Sequence, residues 1–156
     1  MKRTVIVLTV LLALLVSTVQ ASAAPTAGTP NCVGTYLVVE NSDVQSLWTL
    51  SRDGTTQVTS SAEDAVPSFS HQQGAWRRVP SGPVNVTTLD FPVDGTYAPT
   101  TVARVDAVLA FSNACQDVSG SLELRTYAVP AEDPLDPSAG TFVLSETFTG
   151  RLVTAH

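Results

Sequence analysis

Glu146 and His71 are the side chains of this sequence best suited to acid–base chemistry. Glu146 stands in phase with Phe142, Leu144 and Phe148, so the alternation of a strand would direct it into an apolar interior. A carboxyl group held there can act as a general acid or base, or can bind a polar group of a ligand. Because alternation breaks at β-bulges, a bulge could instead turn Glu146 towards solvent. Alternatively, Glu146 could be a structural partner for an arginine.

His71 is the only histidine besides the C-terminal residue, and it stands at the end of a long connection. An imidazole there could shuttle protons, or it could hold the connection in place through hydrogen bonds. The sequence has no histidine cluster and no cysteine pair at ligand spacing, so we predict no metal site and no cofactor. It also lacks the nucleophile and phosphate-binding glycine motifs. Any catalysis would therefore be cofactor-independent.

The first 23 residues are typical of a secretory signal peptide. A basic start (M-K-R) precedes the apolar run VIVLTVLLALLV, which is shorter than the roughly 20 residues that a membrane-spanning helix needs. Ala21, Ser22 and Ala23 complete a cleavage site. We expect a secreted protein, extracellular or periplasmic, without a stable membrane anchor; an uncleaved anchor is the alternative. Residues 24–31 would be a flexible lead-in, and 32–156 a single domain.

Cys32 and Cys115 are the only cysteines. An even count in an exported protein predicts a disulfide, and two buried thiols are the alternative. The bridge would close a loop of about 80 residues, which corresponds to about 4–5 kcal/mol of stability in the chain-entropy model. A bridged cysteine cannot serve as a nucleophile, so the sequence favours a structural role.

The formal net charge of −6 becomes more negative once Lys2 and Arg3 leave with the leader. An acidic surface argues against nucleic acid and against anionic membranes as partners. Because Lys2 is the only lysine, the processed chain could not carry out Schiff-base chemistry.

Eight segments show the alternation and the β-branched composition of strands. They are residues 33–40, 44–51, 55–60, 74–80, 84–93, 101–112, 117–129 and 141–154. Residues 62–66 could form a helical turn that ends at a proline, and residues 130–140 form an acidic, proline-rich loop. Arg104 and Asp106 share one face of their strand, which predicts a solvent-facing charge network.

Eight strands joined mostly by short turns predict an all-β fold, an antiparallel up-and-down barrel; a two-sheet β-sandwich is the alternative. A barrel of this size has room for side chains or for one small ligand. The connection before His71 and the loop at 130–140 would lie at the barrel ends. We assign ligand contacts to apolar side chains inside it, although Trp76, with Tyr36 and Trp48, could instead plug the core. The assigned residues are Trp76, Phe91, Leu109, Phe111, Leu144 and Phe148.

The tripeptide 34–36, G-T-Y, resembles the G-x-W that opens the first strand of lipocalins and other calycins, with Tyr36 in place of tryptophan. Arg151 stands where that family often packs an arginine over the tryptophan. The middle of the chain is similar to small secreted bacterial lipocalin-like proteins, with a histidine and G-A-W leading into a strand and then V-N-V-T-T-L-D-F. The resemblance implies a small hydrophobic molecule bound inside the barrel. A weaker resemblance to allene oxide cyclase-like and dirigent-like barrels implies a cofactor-free isomerase or cyclase.

Three functions therefore remain open: a binder of a small hydrophobic molecule, an isomerase or cyclase in the same barrel, and a secreted interaction module with a packed core. A filled interior would favour the third. Loss of turnover without loss of binding in Glu146→Gln would separate the second from the first. The ligand and the oligomeric state are left open by the sequence.

Overall fold

The structure, a computed structural model, describes residues 32–63, 68–80, 82–93 and 100–155. The predicted signal peptide (1–23) and lead-in (24–31) lie outside the described residues, as does most of the predicted helical turn at 62–66. Ala62 and Glu63, the described part of that segment, form a turn. Within these described ranges, no helix is long and apolar enough to cross a membrane.

Ten strands, eight of them long, account for most of the described chain. They are β1 (Gly34–Glu40), β2 (Gln45–Leu50), β3 (Thr55–Ser60), β4 (Ser68–Phe69), β5 (Gln72–Arg78), β6 (Val84–Asp90), β7 (Pro92–Val93), β8 (Thr101–Ser112), β9 (Asp117–Ala128) and β10 (Thr141–Leu152). The eight long strands are those predicted from the sequence. The predicted fifth strand is divided into β6 and β7, because β7 leaves the barrel to pair with β4 in a small separate sheet.

The eight long strands close into one antiparallel barrel in the order β1-β10-β9-β8-β6-β5-β3-β2. The first and last strands complete the ring, with Tyr36 opposite Leu152 and Glu40 opposite Phe148. Apart from the small β4–β7 sheet, each long strand pairs with the long strands before and after it in the chain. The predicted up-and-down barrel is confirmed. The sandwich alternative is wrong, because a ring of continuous pairing forms one sheet rather than two.

Side-chain alternation decides which residues fill the barrel. Along β6, Val84, Val86, Thr88 and Asp90 are buried, while the residues between them are only partly covered. Successive residues of a strand point to opposite faces, so one set faces inwards and the other outwards. Buried residues also alternate with exposed ones along β2 and β3, and the inward side chains of the closed ring share one interior.

The interior is densely packed at the end of the barrel where Cys32 bonds to Cys115, which we call the closed end. The predicted disulfide is confirmed, with the two Cα atoms 5.3 Å apart. The Tyr36 hydroxyl lies 3.3 Å from the Cys32 carbonyl oxygen and 3.1 Å from that of Cys115. The Tyr36 ring contacts Phe111, and the Trp76 indole donates a hydrogen bond to the Ser51 carbonyl oxygen. Aromatic side chains therefore plug this end.

A β-bulge in β10 changes the face on which Phe142 lies. The pairing with β9 shifts between Phe142 and Leu144, so that Phe142 is opposite Arg125 and Leu144 is opposite Leu124. Phe142 is 53% exposed on the outer wall. The prediction that Phe142 shares a face with Leu144 and Glu146 is therefore wrong, since the bulge adds one residue between them.

The loop at 129–140 folds back against the outer wall of the barrel. The Tyr127 hydroxyl donates to the Asp136 carbonyl oxygen, and Arg104 Nη1 donates to the Pro134 carbonyl oxygen. Arg104 also forms the predicted pair with Asp106, at 2.7 Å. The guanidinium is buried rather than solvent-facing, at 7% exposure, because the loop covers it.

Arg151 lies on the outer wall, opposite Leu37, and is exposed. Tyr36 points into the barrel, where it is opposite Leu152. Neighbouring residues of a strand face opposite sides of the sheet, so Arg151 does not pack over the ring of residue 36 as the resemblance implied.

Candidate functional site

The barrel is hollow at the end opposite the disulfide, which we call the open end. A cavity of about 330 Å³ lies there, a volume within the range of small-molecule sites. Its apolar lining is Val44, Trp48, Val58, Ala62, Phe69, Ala103, Val105, Leu122, Leu124 and Leu144. Its polar lining is Glu40, Ser42, Ser46, Ser60, Glu63, Gln72, Asp90 and Glu146.

Small side chains at three inward positions near the open end leave room for the cavity. Ser46 on β2, Ser60 on β3 and Ala103 on β8 all line it. On β2, the inward residues that follow Ser46 are Trp48 and Leu50, which are large and buried. The interior of the barrel is therefore filled by side chains at the closed end and is partly empty at the open end.

A stacked aromatic pair, Trp48 on Phe148, separates the cavity from the closed end. The ring centroids are 5.5 Å apart. Trp48 lines the cavity and is only 2% exposed. Gly120 on β9 makes room for the Phe148 ring, since a Cβ atom there would lie 2.6 Å from Phe148 Cζ. The Trp48 indole nitrogen is buried and has no hydrogen-bond partner among the described residues.

Four carboxyl groups line the open end, on four different parts of the chain: Glu40, Glu63, Asp90 and Glu146. Burial raises the pKa of Glu40, the Ser46 hydroxyl lowers that pKa, and the nearby Glu146 carboxyl raises it again. Burial likewise raises the pKa of Asp90, which hydrogen bonds from Ser70 and Phe91 lower and the charge of Glu63 raises. The net direction for both groups is upwards, which reflects the loss of water around them and the repulsion between carboxylates.

Three of the four carboxyl groups have hydrogen-bond partners within the protein. Glu40 accepts from the Ser46 hydroxyl at 3.3 Å, and Asp90 accepts from the Ser70 hydroxyl at 2.7 Å. Glu63 accepts from the Ser60 backbone amide at 2.9 Å. These hydrogen bonds hold the three carboxyl groups at the wall of the cavity.

The fourth carboxyl group, that of Glu146, differs from the other three in its hydrogen bonding. It is opposite Leu122 on β9 and lines the cavity, so the alternation that predicts an inward side chain holds at this position. Its Oε2 atom is buried and has no hydrogen-bond partner among the described residues. A buried carboxyl oxygen without a partner is costly, and a ligand group that donates a hydrogen bond would remove that cost.

His71 lies outside the cavity at the rim of the open end. Its side chain is 70% exposed, and its Nδ1 atom is 3.2 Å from Glu63 Oε2 and 3.3 Å from the Thr59 hydroxyl. The structure therefore does not bring the two candidate catalytic residues together, since Glu146 lines the interior and His71 does not.

The predicted ligand-binding residues fall into three groups. Leu144 lines the cavity. Phe148, Leu109, Phe111 and Trp76 belong to the packed interior or contact it, on the closed side of the cavity. Phe91 is 50% exposed and lies beyond the end of β6.

Sequence reasoning missed Glu40, Asp90 and Trp48 as cavity residues, although the signal was present. Glu40 is two residues after Val38 in β1, and Asp90 is two residues after Thr88 in β6. The alternation that singled out Glu146 therefore places both carboxyl groups on inward faces.

No family model, no curated protein and no solved structure matches this chain. The site must therefore be interpreted from its own geometry. Within the described ranges, no three side chains of histidine, cysteine, aspartate or glutamate are grouped closely enough to hold a metal ion. The cavity offers an apolar wall, a buried donor on Trp48 and a set of acceptors at the open end.

Proposed function

We propose that this protein binds one small, largely apolar molecule in the cavity at the open end of the barrel. The observation that carries the proposal is the contrast between the two ends: large side chains fill the closed end, while a volume of about 330 Å³ bounded by ten apolar side chains is left at the open end. Burial of apolar ligand surface there would stabilise the complex by about 25 cal/mol for each Å² removed from water.

Two buried polar atoms support a ligand that also carries polar groups. The Trp48 indole N–H is a donor and Glu146 Oε2 is an acceptor, and neither has a partner in the described structure. A few polar atoms in an apolar wall are what orient ligands in small-molecule sites. We infer that these two atoms orient the bound molecule.

The proposal agrees with a lipocalin-like protein that works outside the cell. An eight-stranded up-and-down barrel is the architecture in which lipocalins enclose one ligand. The disulfide fits an oxidising compartment, as does the leader at residues 1–23. The membership itself rests on the G-T-Y motif at 34–36 and remains part of the proposal.

A cofactor-free isomerase or cyclase is the second candidate, and Glu146 is the observation that favours it. A carboxyl oxygen that is buried in an apolar cavity without a partner could take a proton from one carbon of a substrate and return it to another. His71 would not take part in that step, because it lies outside the cavity. The cavity itself argues against a third candidate, an interaction module with a filled interior.

Fluorescence titration tests the proposal directly. Trp48 and Trp76 are the only tryptophans, so Trp76→Phe leaves the cavity residue Trp48 as the sole indole reporter. We expect N-phenyl-1-naphthylamine, an apolar probe that is uncharged at neutral pH, to change Trp48 emission saturably at one molecule per chain. A linear, unsaturable response would overturn the proposal.

The enzyme alternative needs a different readout. If a compound identified by native mass spectrometry is converted by the protein, Glu146→Gln should abolish turnover and keep binding. A bound compound that is recovered unchanged after prolonged incubation would exclude isomerase or cyclase action on it.

A further inference from the structure

The cavity is lined by acidic side chains, whereas the ion pairs Arg104–Asp106 and Arg125–Glu123 lie on the outer wall. The four carboxyl groups Glu40, Glu63, Asp90 and Glu146 line the cavity, and none of its described lining residues is basic. Arg78 lies at the closed end, 3.9 Å from Cys32 Sγ. The internal segments outside the described ranges, 64–67, 81 and 94–99, contain no lysine, arginine or histidine in the sequence.

Two of the cavity carboxyl groups, those of Glu40 and Asp90, have pKa values that are raised in part by a neighbouring carboxyl group. Glu146 acts on Glu40, and Glu63 acts on Asp90, in each case as a repulsive interaction between like charges. Among the four carboxyl groups, His71 contacts that of Glu63, and it does so from outside the cavity. The Glu40–Glu146 pair therefore has no basic neighbour among the described cavity residues, and Glu146 has an unpartnered buried oxygen as well.

From this charge arrangement we propose that the molecule bound in the cavity is an amphiphilic amine, with its protonated amino group between Glu40 and Glu146 and its apolar body against Trp48 and the other apolar lining residues. The inference rests on the proposed binding function and names the chemical class of its ligand. An ammonium group donates up to three hydrogen bonds, one of which reaches the unpartnered Glu146 oxygen. Charge-assisted bonds of this kind are among the strongest in proteins.

The apolar wall selects an organic cation over an inorganic one. A small metal ion would interact with the carboxylates alone and would leave the ten apolar lining residues without a partner. An amine with a hydrocarbon body covers both parts of the site. Trp48 adds an independent sign of a ligand, since a side chain that is 2% exposed lines the cavity with an unpartnered indole N–H, a donor that would pair with an acceptor on the organic body of the amine.

Matched ligands on the unmodified protein test the inference. Decylamine, decanol and decanoate share one hydrocarbon chain and differ in the charge of the head group. Each is titrated against bound N-phenyl-1-naphthylamine at neutral pH. We expect decylamine to displace the probe at a concentration at least about tenfold lower than decanol, which corresponds to about 1.4 kcal/mol, and decanoate to be the weakest of the three.

The outcomes separate this inference from the proposed function. If the neutral probe does not bind, the proposed function fails. If the probe binds and decylamine is no better than decanol, the function stands and the amine inference is overturned. Displacement of the probe by calcium chloride at concentrations where choline chloride has no effect would also overturn it, in favour of a metal ion.

Substitution of Glu40 and Glu146 tests whether these two carboxyl groups cause the preference for decylamine over decanol. The double variant Glu40→Gln with Glu146→Gln keeps the shape of the site and removes its charge, so the preference for decylamine over decanol should fall to within about twofold. Glu123→Gln is the matched control, because Glu123 pairs with Arg125 on the outer wall. An unchanged preference in a folded double variant would contradict the assignment. Decanol affinity shows in the same titration whether that variant keeps its cavity.

Discussion

Phe148 stacks on Trp48 with the ring centroids 5.5 Å apart, and this contact joins β10 to β2 across the barrel interior. On one side of the pair the barrel is packed up to the disulfide. On the other side lies the cavity with its carboxyl groups. Trp48 thus belongs both to the core and to the lining of the cavity that we propose to bind a ligand, and Phe148 supports it from the packed side.

Truncation of the stacked pair should be costly, whereas truncation of a neighbouring phenylalanine should not be. Phe148 is 4% exposed, so Phe148→Ala should lower the free energy of unfolding by about 3–5 kcal/mol. Phe142 is on the same strand but beyond the bulge, and Phe142→Ala should change stability by less than about 0.5 kcal/mol. Chemical denaturation measures both. Equal losses would mean that Phe142 also packs inside the barrel.

Filling the cavity should abolish binding. Ala103 on β8 is buried and lines the cavity, so Ala103→Phe places a ring where the ligand would lie. We expect the affinity for N-phenyl-1-naphthylamine to fall by at least about tenfold, and any strain to cost no more than about 1–3 kcal/mol.

The same substitution on the outer face of β8 provides the control. Ala110 is exposed, so Ala110→Phe should leave the affinity unchanged. Undiminished binding in a folded Ala103→Phe variant would place the probe elsewhere on the protein.

The contribution of Glu40 and Asp90 to stability should fall as the pH rises above the ordinary pKa values of these two groups. Those values are 4.5 for Glu40 and 3.8 for Asp90, and the folded protein raises both pKa values, chiefly through burial. The folded state then holds these protons more tightly than the unfolded chain. Their contribution is therefore fully present at low pH and is lost as the pH rises through the raised pKa values.

Thermal melts of Glu40→Gln between about pH 4 and pH 8 isolate one of these groups. The variant should gain stability relative to the original protein as the pH rises, because it has no carboxylate to bury beside Glu146. The informative quantity is the difference in melting temperature between the variant and the original protein. Other groups oppose the effect, because hydrogen bonds with Thr55 and Ser138 lower the pKa values of Asp53 and Asp136, whose contributions to stability grow as the pH rises. A difference that does not change with pH would contradict the expectation.

Arg104 should hold the loop at 129–140 against the barrel wall. Arg104→Met removes two bonds to Asp106 and one to the Pro134 carbonyl oxygen, so we expect a loss of about 1.5–3 kcal/mol and faster cleavage after Glu132 by a glutamate-specific protease. Arg125→Met is the control, because its ion pair with Glu123 is more exposed and should contribute at most about 1 kcal/mol. Equal protease sensitivity of the two variants would mean that the loop is held by other contacts.

The strands could be predicted because alternation is a local property. Residues 55–60 and 101–112 match β3 and β8 without any shift, since each has turn residues immediately beside a continuous alternating run. The assignment of faces failed at Phe142, where the bulge adds a residue that no composition signal marks. It held for Glu146, which lies on the barrel side of that bulge.

Other features of the site depend on contacts between residues distant in the chain. Arg104 is buried because a loop about 30 residues later in the sequence folds over it, with a hydrogen bond to Pro134. Glu40 and Glu146 influence one another because β1 closes on β10. Neither contact can be predicted from the residues that surround Arg104, Glu40 or Glu146 in the sequence.

The amino-acid order alone was sufficient for the eight strands, for the inward direction of Glu146 and for the pairing of the two cysteines, because spacing, turn chemistry and cysteine count are all read along one chain. The tertiary structure alone decided that the barrel is filled at one end and hollow at the other. That difference depends on which side chains from the eight paired strands come together in the interior. Trp48 stacks on Phe148, whereas Ser46, Ser60 and Ala103 border the cavity. These side-chain volumes produce a filled or a hollow interior only once the eight strands have closed into a barrel.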